Sequence, residues 1–290
     1  MCRRRGNTVT DSSILWCRDR DGVRTLTLNR PQRKNAIDAE LWAVLRDALV
    51  AAGTDRAVRA VVVTGAGGAF SSGADISAPS DDHPADKMRR LTDVAMLLHE
   101  LPKPTIAKVT GVAVGAGWNL ALGCDFVIAT PEAKFSQIFS RRGLSLDLGG
   151  SWLLPKLVGL QQAKRLALLA EMIDAEEAHA LNLVTWVVPA ADIDGFVTHL
   201  AERLVAGTPV ALAQSKALLN EGADRTMRDA LANEARAQMV NFATADAPEA
   251  YAAFAEKREP HFTGRWAVAR ARDAADLRTM DRPTVGEVNA

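Results

Sequence analysis

The chain is poor in the groups that hold metals or staple small folds. Its 290 residues include three cysteines, Cys2, Cys17 and Cys124, widely separated and without a C-x-x-C pair. Neither a zinc site nor a disulfide framework is therefore expected. The five histidines, His83, His99, His179, His199 and His261, show no ligand spacing, and no metal is expected. Charge of one sign is lacking too, since 35 Lys and Arg balance 35 Asp and Glu for a net charge of +0. A general nucleic-acid binder needs a basic surplus, and an acidic solvating chain would be poor in apolar residues. Here 48% of residues are hydrophobic and 24% charged, an ordinary globular composition. No apolar run approaches the roughly 20 residues that span a bilayer, so no membrane partner is expected. Met1-Cys2-Arg3-Arg4-Arg5 begins like a targeting segment, but no apolar stretch follows and Asp11, Asp19 and Asp21 come soon after. Residues 1–12 read as the disordered start of a cytoplasmic protein.

What is present is an alternation of buried strands and helices. Two β-rich runs, 14–18 and 23–28, flank Asp21-Gly22, a hairpin signal. Asp38 looks like an N-cap, with Leu41, Trp42, Leu45 and Leu49 at helical spacing behind it. Residues 60–64 (AVVVT), 105–109 and 126–129 read as strands, the first buried on both faces. Helices are predicted over 85–100, ended by Pro102 and Pro104, and over 116–123. Beyond residue 150 the pattern becomes helical, at 161–170, 174–181, 193–205 and 209–220, with two more helices to about 258 and a single strand at 184–188. The expectation is an α/β core with a helical C-terminal third.

Three segments carry the chemistry. Gly65 to Ile76 is glycine-rich and follows a strand. It has neither the Gly-Lys-[Ser/Thr] of a Walker loop nor a G-x-G-x-x-G fingerprint, so it is either a flexible loop or a backbone cradle. Gly111 to Leu120 places small residues between strand and helix. That is either close packing or a set of unpaired amides suited to a developing negative charge. Gly143 to Trp152 contains Asp147 alone among apolar and small residues. Asp147 is either a helix cap or an acid/base of raised pKa.

Taken together, in this order and spacing, the segments resemble the enoyl-CoA hydratase/isomerase family, also called the crotonase superfamily. Leu28-Asn29-Arg30-Pro31 with Asn35-Ala36, Phe70 to Asp75, Ala113 to Gly117 with Cys124-Asp125, Pro248 to Phe254 with Lys257-Arg258, and Phe262 to Arg265 carry the resemblance. It covers about residues 13–265. It implies a crotonase-like spiral of ββα units over 13–205 and a helical C-terminal trimerisation region over 206–265, assembled as a homotrimer or a dimer of trimers. A polar tail, 266–290, lies past the usual ending. The resemblance implies an acyl-CoA substrate, with coenzyme A as part of that substrate and no tightly bound cofactor. The oxyanion hole would be the amides of Ala74 and Ala116. Substrate contacts would come from Arg33, Lys34, Ser72, Gly73, Asp75, Ile76, Gly115, Asn119 and Phe139. Arg30, beside Arg33 and Lys34, is either part of a phosphate-binding cluster or of a solvated basic turn. Trp118 and Trp152 either shape an acyl pocket or belong to the core.

The chain departs from the family pattern where hydratases carry two glutamates. The first position is Asn119 and the second Phe139, and neither transfers a proton as a carboxylate does. Asp147 instead falls where dienoyl-CoA isomerases, dehalogenases and ring-epoxide (epoxyphenylacetyl-CoA) isomerases carry an aspartate. Gly143 to Pro155 looks most like the last of these. The expected activity is therefore enoyl-CoA isomerisation through an enolate, with Asp147 as the single acid/base in surroundings made apolar by Phe139 and Leu148. Hydration, thioester hydrolysis and non-catalytic acyl-CoA binding are the alternatives.

Overall fold

The computed structural model describes residues 9–77 and 83–267. Residues 1–8 of the predicted disordered start and 268–290 of the predicted tail lie outside them. Val9–Ser12, also expected to be disordered, instead forms β1, which pairs antiparallel with β2 (Leu15–Arg20), Val9 opposite Arg18. Asp21 and Gly22, at φ 49° and 83°, make the tight turn into β3 (Val23–Leu28). Both central residues are left-handed, as a hairpin that follows strand twist requires.

Parallel pairing then carries the sheet onward through β4 (Ala60–Gly65), β5 (Thr105–Val109), β7 (Phe126–Ala129) and β10 (Trp186–Val187), seven strands with β1 and β2. Alternate residues of β4 explain why AVVVT shows no polar face. Val61 and Val63 join the main core with Leu41, Leu45 and Leu49 of α1 (Ala39–Thr54), whereas Val62 packs with Ile106, Ile128 and α6 (Ile193–Ala206). Asp38 caps α1 as predicted, its Oδ1 accepting from the Leu41 N–H at 2.9 Å.

The sequence patterns missed a second, three-stranded sheet. It consists of β6 (Val112–Val114), β8 (Lys134–Ser136) and β9 (Ile173–Asp174). The chain enters it at Gly111, φ 63°, where a Cβ would collide with the Gly68 carbonyl. The helices α2 (Pro84–His99), α3 (Ala116–Leu122) and α5 (Ala175–Ala180) fall close to their predicted places. The next helix begins earlier than predicted: α4 spans Gly150–Leu169, broken at Gly159 (φ 74°, ψ 161°). The C-terminal helices are α7 (Pro209–Gly222), α8 (Met227–Phe242) and α9 (Asp246–Glu256). They bury little of their own surface, with Leu219, Met239, Tyr251 and Phe254 exposed. The first residues of the predicted tail are ordered, Trp266 bridging Thr244.

One buried carboxamide fixes the loops that follow β3 and β4. Asn35, fully buried at φ 55°, accepts the Arg30 N–H at 2.9 Å and donates to the Ala66 and Ala69 carbonyls at 2.8 and 2.7 Å. Its own carbonyl accepts from the Ser71 hydroxyl at 2.8 Å. Asparagine also tolerates the left-handed backbone better than most residues. Asn35→Ala removes three buried hydrogen bonds and should cost about 3 kcal/mol, read as a lower urea midpoint at unchanged slope.

Candidate active site

The loop after β4 presents a free amide because of how it is bridged. Ile37 donates to the Gly73 carbonyl at 2.8 Å, and the Asp75 N–H donates to the Ile37 carbonyl at 2.9 Å, a parallel bridge centred on Ala74. The middle residue of such a bridge turns its own N–H away from the partner strand. The Ala74 N–H finds no acceptor among the described residues. A second parallel bridge, Ser71 to Ala113, ties this loop to β6, the Val114 N–H donating to the Ser71 carbonyl at 2.9 Å.

Gly115 then turns the chain into α3 at φ 54°, ψ −125°, leaving Ala116 as the first helical residue. The first N–H groups of a helix have no intrahelical acceptor, and that of Ala116 has none elsewhere among the described residues. The two loops touch through glycine: a Cβ on Gly73 would stand 2.6 Å from the Val114 carbonyl oxygen and 3.4 Å from the Ala116 nitrogen. Two unpaired amides on adjoining loops are donors for one developing oxyanion.

Asp147 proves not to be a helix cap. Gly149 holds the N-cap position of α4, without a side-chain cap. The Asp147 carboxyl is half-buried, its Oδ1 has no hydrogen-bond partner among the described residues, and burial pushes its pKa up to about 6, with Lys87 of α2 opposing. The next residues form a turn in which Leu148 (φ 47°) and Gly149 (φ 78°) are both left-handed, closed by the Gly150 N–H on the Asp147 carbonyl at 2.9 Å. A non-glycine residue in that region costs on the order of 1 kcal/mol.

The two positions where hydratases carry glutamate are both closed to proton transfer. Asn119 is 1% exposed. Its Nδ2 donates to the Asp147 carbonyl at 2.9 Å, and its Oδ1 accepts from Gln137 Nε2 at 2.8 Å. Phe139 is buried, its ring 3.7 Å from where a Cβ of Gly115 would lie. Beside them opens a cavity of about 290 Å³, walled by Leu98, His99, Leu148, Trp152 and Leu153 among others. Trp152 belongs to this wall, edge-on to His99 at 5.2 Å. Trp118 does not; it is fully buried against Phe135 and serves the core. Sequence reasoning missed Gln137 and the α2 wall with His99, because one polar residue in an apolar run and a histidine at a helix end carry no pattern of their own.

The basic cluster divides. Arg30 is not available to a phosphate: its guanidinium pairs with Asp38 at 3.1 Å and Asp75 at 3.0 Å and donates to the Ala36 carbonyl at 2.5 Å. The Asp75 carboxylate is committed to Ser77 and Arg30, which hold its pKa below the usual value against the opposing effect of burial. Arg33 and Lys34 remain exposed on the turn, Ser72 donates to the Arg33 carbonyl at 3.2 Å, and Ile76 is exposed beside them. Cys124 is buried, which raises its thiol pKa to about 12 and leaves it inert. Among the described residues no group of His, Cys, Asp and Glu could hold a metal ion, and no helix is long and apolar enough to cross a membrane.

Comparison with known proteins places the chain in a family. Residues 18–265 match the enoyl-CoA hydratase/isomerase family. The chain is 38% identical over 251 residues to the 1,2-epoxyphenylacetyl-CoA isomerase of Escherichia coli (strain K12), covering 84% of this chain and 96% of that one. It is 37% identical over 245 residues to the crotonyl-CoA hydratase of Syntrophomonas wolfei, covering 83% and 94%. A crystal structure of an enoyl-CoA hydratase from Polaromonas sp. JS666 superposes with a TM-score of 0.81 at 35% identity, covering 86% of this chain and 99% of that one. With the family matched over most of its length and relatives this similar, the chain belongs to the enoyl-CoA hydratase/isomerase family.

Proposed function

We propose that this protein is an acyl-CoA isomerase that moves a double bond through an enolate, with Asp147 as its only acid/base. The observation that carries this reading is the contrast between Asp147 and the two hydratase positions. The aspartate keeps an unpartnered, half-buried oxygen and a raised pKa, whereas Asn119 is hydrogen-bonded on both sides and Phe139 has no ionisable group. Without two carboxylates, activating a water and protonating the α-carbon has no natural pair of agents. A 1,3-proton shift needs one. The Ala74 and Ala116 amides hold the thioester oxygen as charge moves onto it. The Asp147 carboxylate takes a proton from the α-carbon of a β,γ-enoyl thioester and returns it to the γ-carbon. The conjugated product leaves the carboxylate as it began.

Coenzyme A enters as part of the substrate, its phosphates meeting Arg33 and Lys34 and its pantetheine arm passing Ser72, Gly73 and Ile76. The apolar cavity beside Leu148 and Trp152 takes the acyl group. The exposed apolar side chains of α7 to α9 support assembly as a homotrimer or a dimer of trimers, and the protein is read as cytoplasmic.

Asp147→Asn should lower double-bond migration by about 10²- to 10⁴-fold, with acyl-CoA binding measured by calorimetry retained. Wild-type kcat/KM should rise with pH through a midpoint near 6, since the deprotonated form starts the reaction. Hydration of crotonyl-CoA at a rate comparable with isomerisation would instead make the protein a hydratase, the name that relatives such as that of Syntrophomonas wolfei bear. Release of free thiol would make it a hydrolase.

The same carboxyl should mark stability. Its folded pKa of about 6 lies above the ordinary 3.8, so its favourable contribution is complete below pH 4 and lost as pH rises through 6. Asp147→Asn should therefore be more stable than wild type at pH 8 by about 3 kcal/mol, and equal to it at pH 3.5, in chemical denaturation at each pH.

A further inference from the structure

We propose that Asn119 is a positioning residue for Asp147: backed by Gln137, it holds the strained turn that aims the acid/base relative to the oxyanion amides. This rests on the assignment of Asp147 made above. The Asp147 carbonyl can only accept a hydrogen bond, so Asn119 must present its NH₂ to it and its Oδ1 to the other side. Gln137 must then present its own NH₂ to that oxygen, as it does at 2.8 Å. The chain has one allowed direction. It also leaves Gln137 Oε1 buried without a partner among the described residues, a cost that a merely space-filling pair would not carry.

Three further features make the contact specific. Gly150 has no side chain where a Cβ would collide with the Asn119 amide. Leu148 is held left-handed, a conformation that leucine keeps only when its surroundings impose it. Asn119 lies one turn after Ala116 on α3, so one rigid helical turn carries an oxyanion amide at its start and the anchor of the acid/base at its end. In a hydratase this position carries a glutamate that handles a proton. Here the amide handles no proton and sets a distance.

The groups that bear on the readout are Lys87 of α2, which acts on the Asp147 carboxyl, and the His99 imidazole, which lines the cavity beside Asn119 and Leu148. Asn119→Ala leaves both in place. It should lower kcat about 10- to 100-fold, as loss of about 1 Å of alignment does, with KM for the acyl-CoA changed by less than about threefold. The pH midpoint of kcat/KM should fall from near 6 toward the ordinary carboxyl range as the freed turn lets Asp147 reach solvent. Adding Leu148→Asn, which suits the left-handed backbone, should restore part of the lost kcat.

Wild-type kcat and midpoint in Asn119→Ala would overturn the proposal. So would a lower kcat with an unmoved midpoint and no recovery from Leu148→Asn, which marks a general packing role. If Asn119→Ala does not fold, Gln137→Met keeps the volume but removes the donor, and should shift the midpoint in the same direction; no shift overturns the proposal. Asp147→Asn, run alongside, separates the two readings. Full activity there sinks the assignment of Asp147 itself, whereas loss there with an unaffected Asn119→Ala sinks only the positioning role.

Discussion

Everything in this site depends on keeping two backbone N–H groups unpaired inside a folded protein. Buried amides nearly always find an acceptor, so a structure that leaves two open on adjoining loops must first satisfy everything around them. Here the parallel bridges do it. Ile37 takes up the groups on either side of Ala74, and Ser71 takes up Val114. The glycines at 73 and 115 then let the loops approach and turn without a side chain between them. Asn35 closes the arrangement from behind by binding both ends of the Ala66–Ala69 stretch.

The proposed acid/base is set by different physics. On the proposed mechanism the Ala74 and Ala116 amides act because the backbone withholds acceptors, and Asp147 acts because burial keeps water from its carboxyl. Desolvation raises its pKa against the opposing charge of Lys87 on α2. Phe139 packs against Gly115, which turns the chain into α3, so a residue incapable of proton transfer still shapes the loop that carries Ala116. On this reading one aspartate, one amide and one phenyl ring stand where a hydratase has two glutamates.

How much of this was legible in the sequence follows from the length and locality of each signal. The hairpin at Asp21-Gly22, the doubly buried strand expected at 60–64 and found at Ala60–Gly65, and the Asp38 cap are local signals that the structure matches. Strands of two or three residues, β6, β8 and β9, are too short to show a period. The early start of α4 carries Pro155 and a non-helical Gly159 inside it, which interrupt the helical period that marks 161–170. Arg30, Arg33 and Lys34 look alike along the chain, yet only the first meets two carboxylates brought from elsewhere. Whether Asp147 capped a helix or kept a free, half-buried carboxyl turned on where α4 begins, two residues beyond Leu148. Gln137 could be found only through its partner.

Arg59 shows what holds the helical layer to this frame. Its guanidinium donates to the Gly207 carbonyl at 2.5 Å and the Phe262 carbonyl at 3.1 Å, the points where the chain enters and leaves α7 to α9. Burial lowers its pKa, with Asp246 of α9 opposing. One side chain just ahead of β4 therefore clasps both ends of a long excursion, as a covalent cross-link would, and closes a loop whose entropy would otherwise favour release. The start and the finish of the helical layer thus meet at one guanidinium, placed at the strand that leads into the Gly73–Ala74 loop.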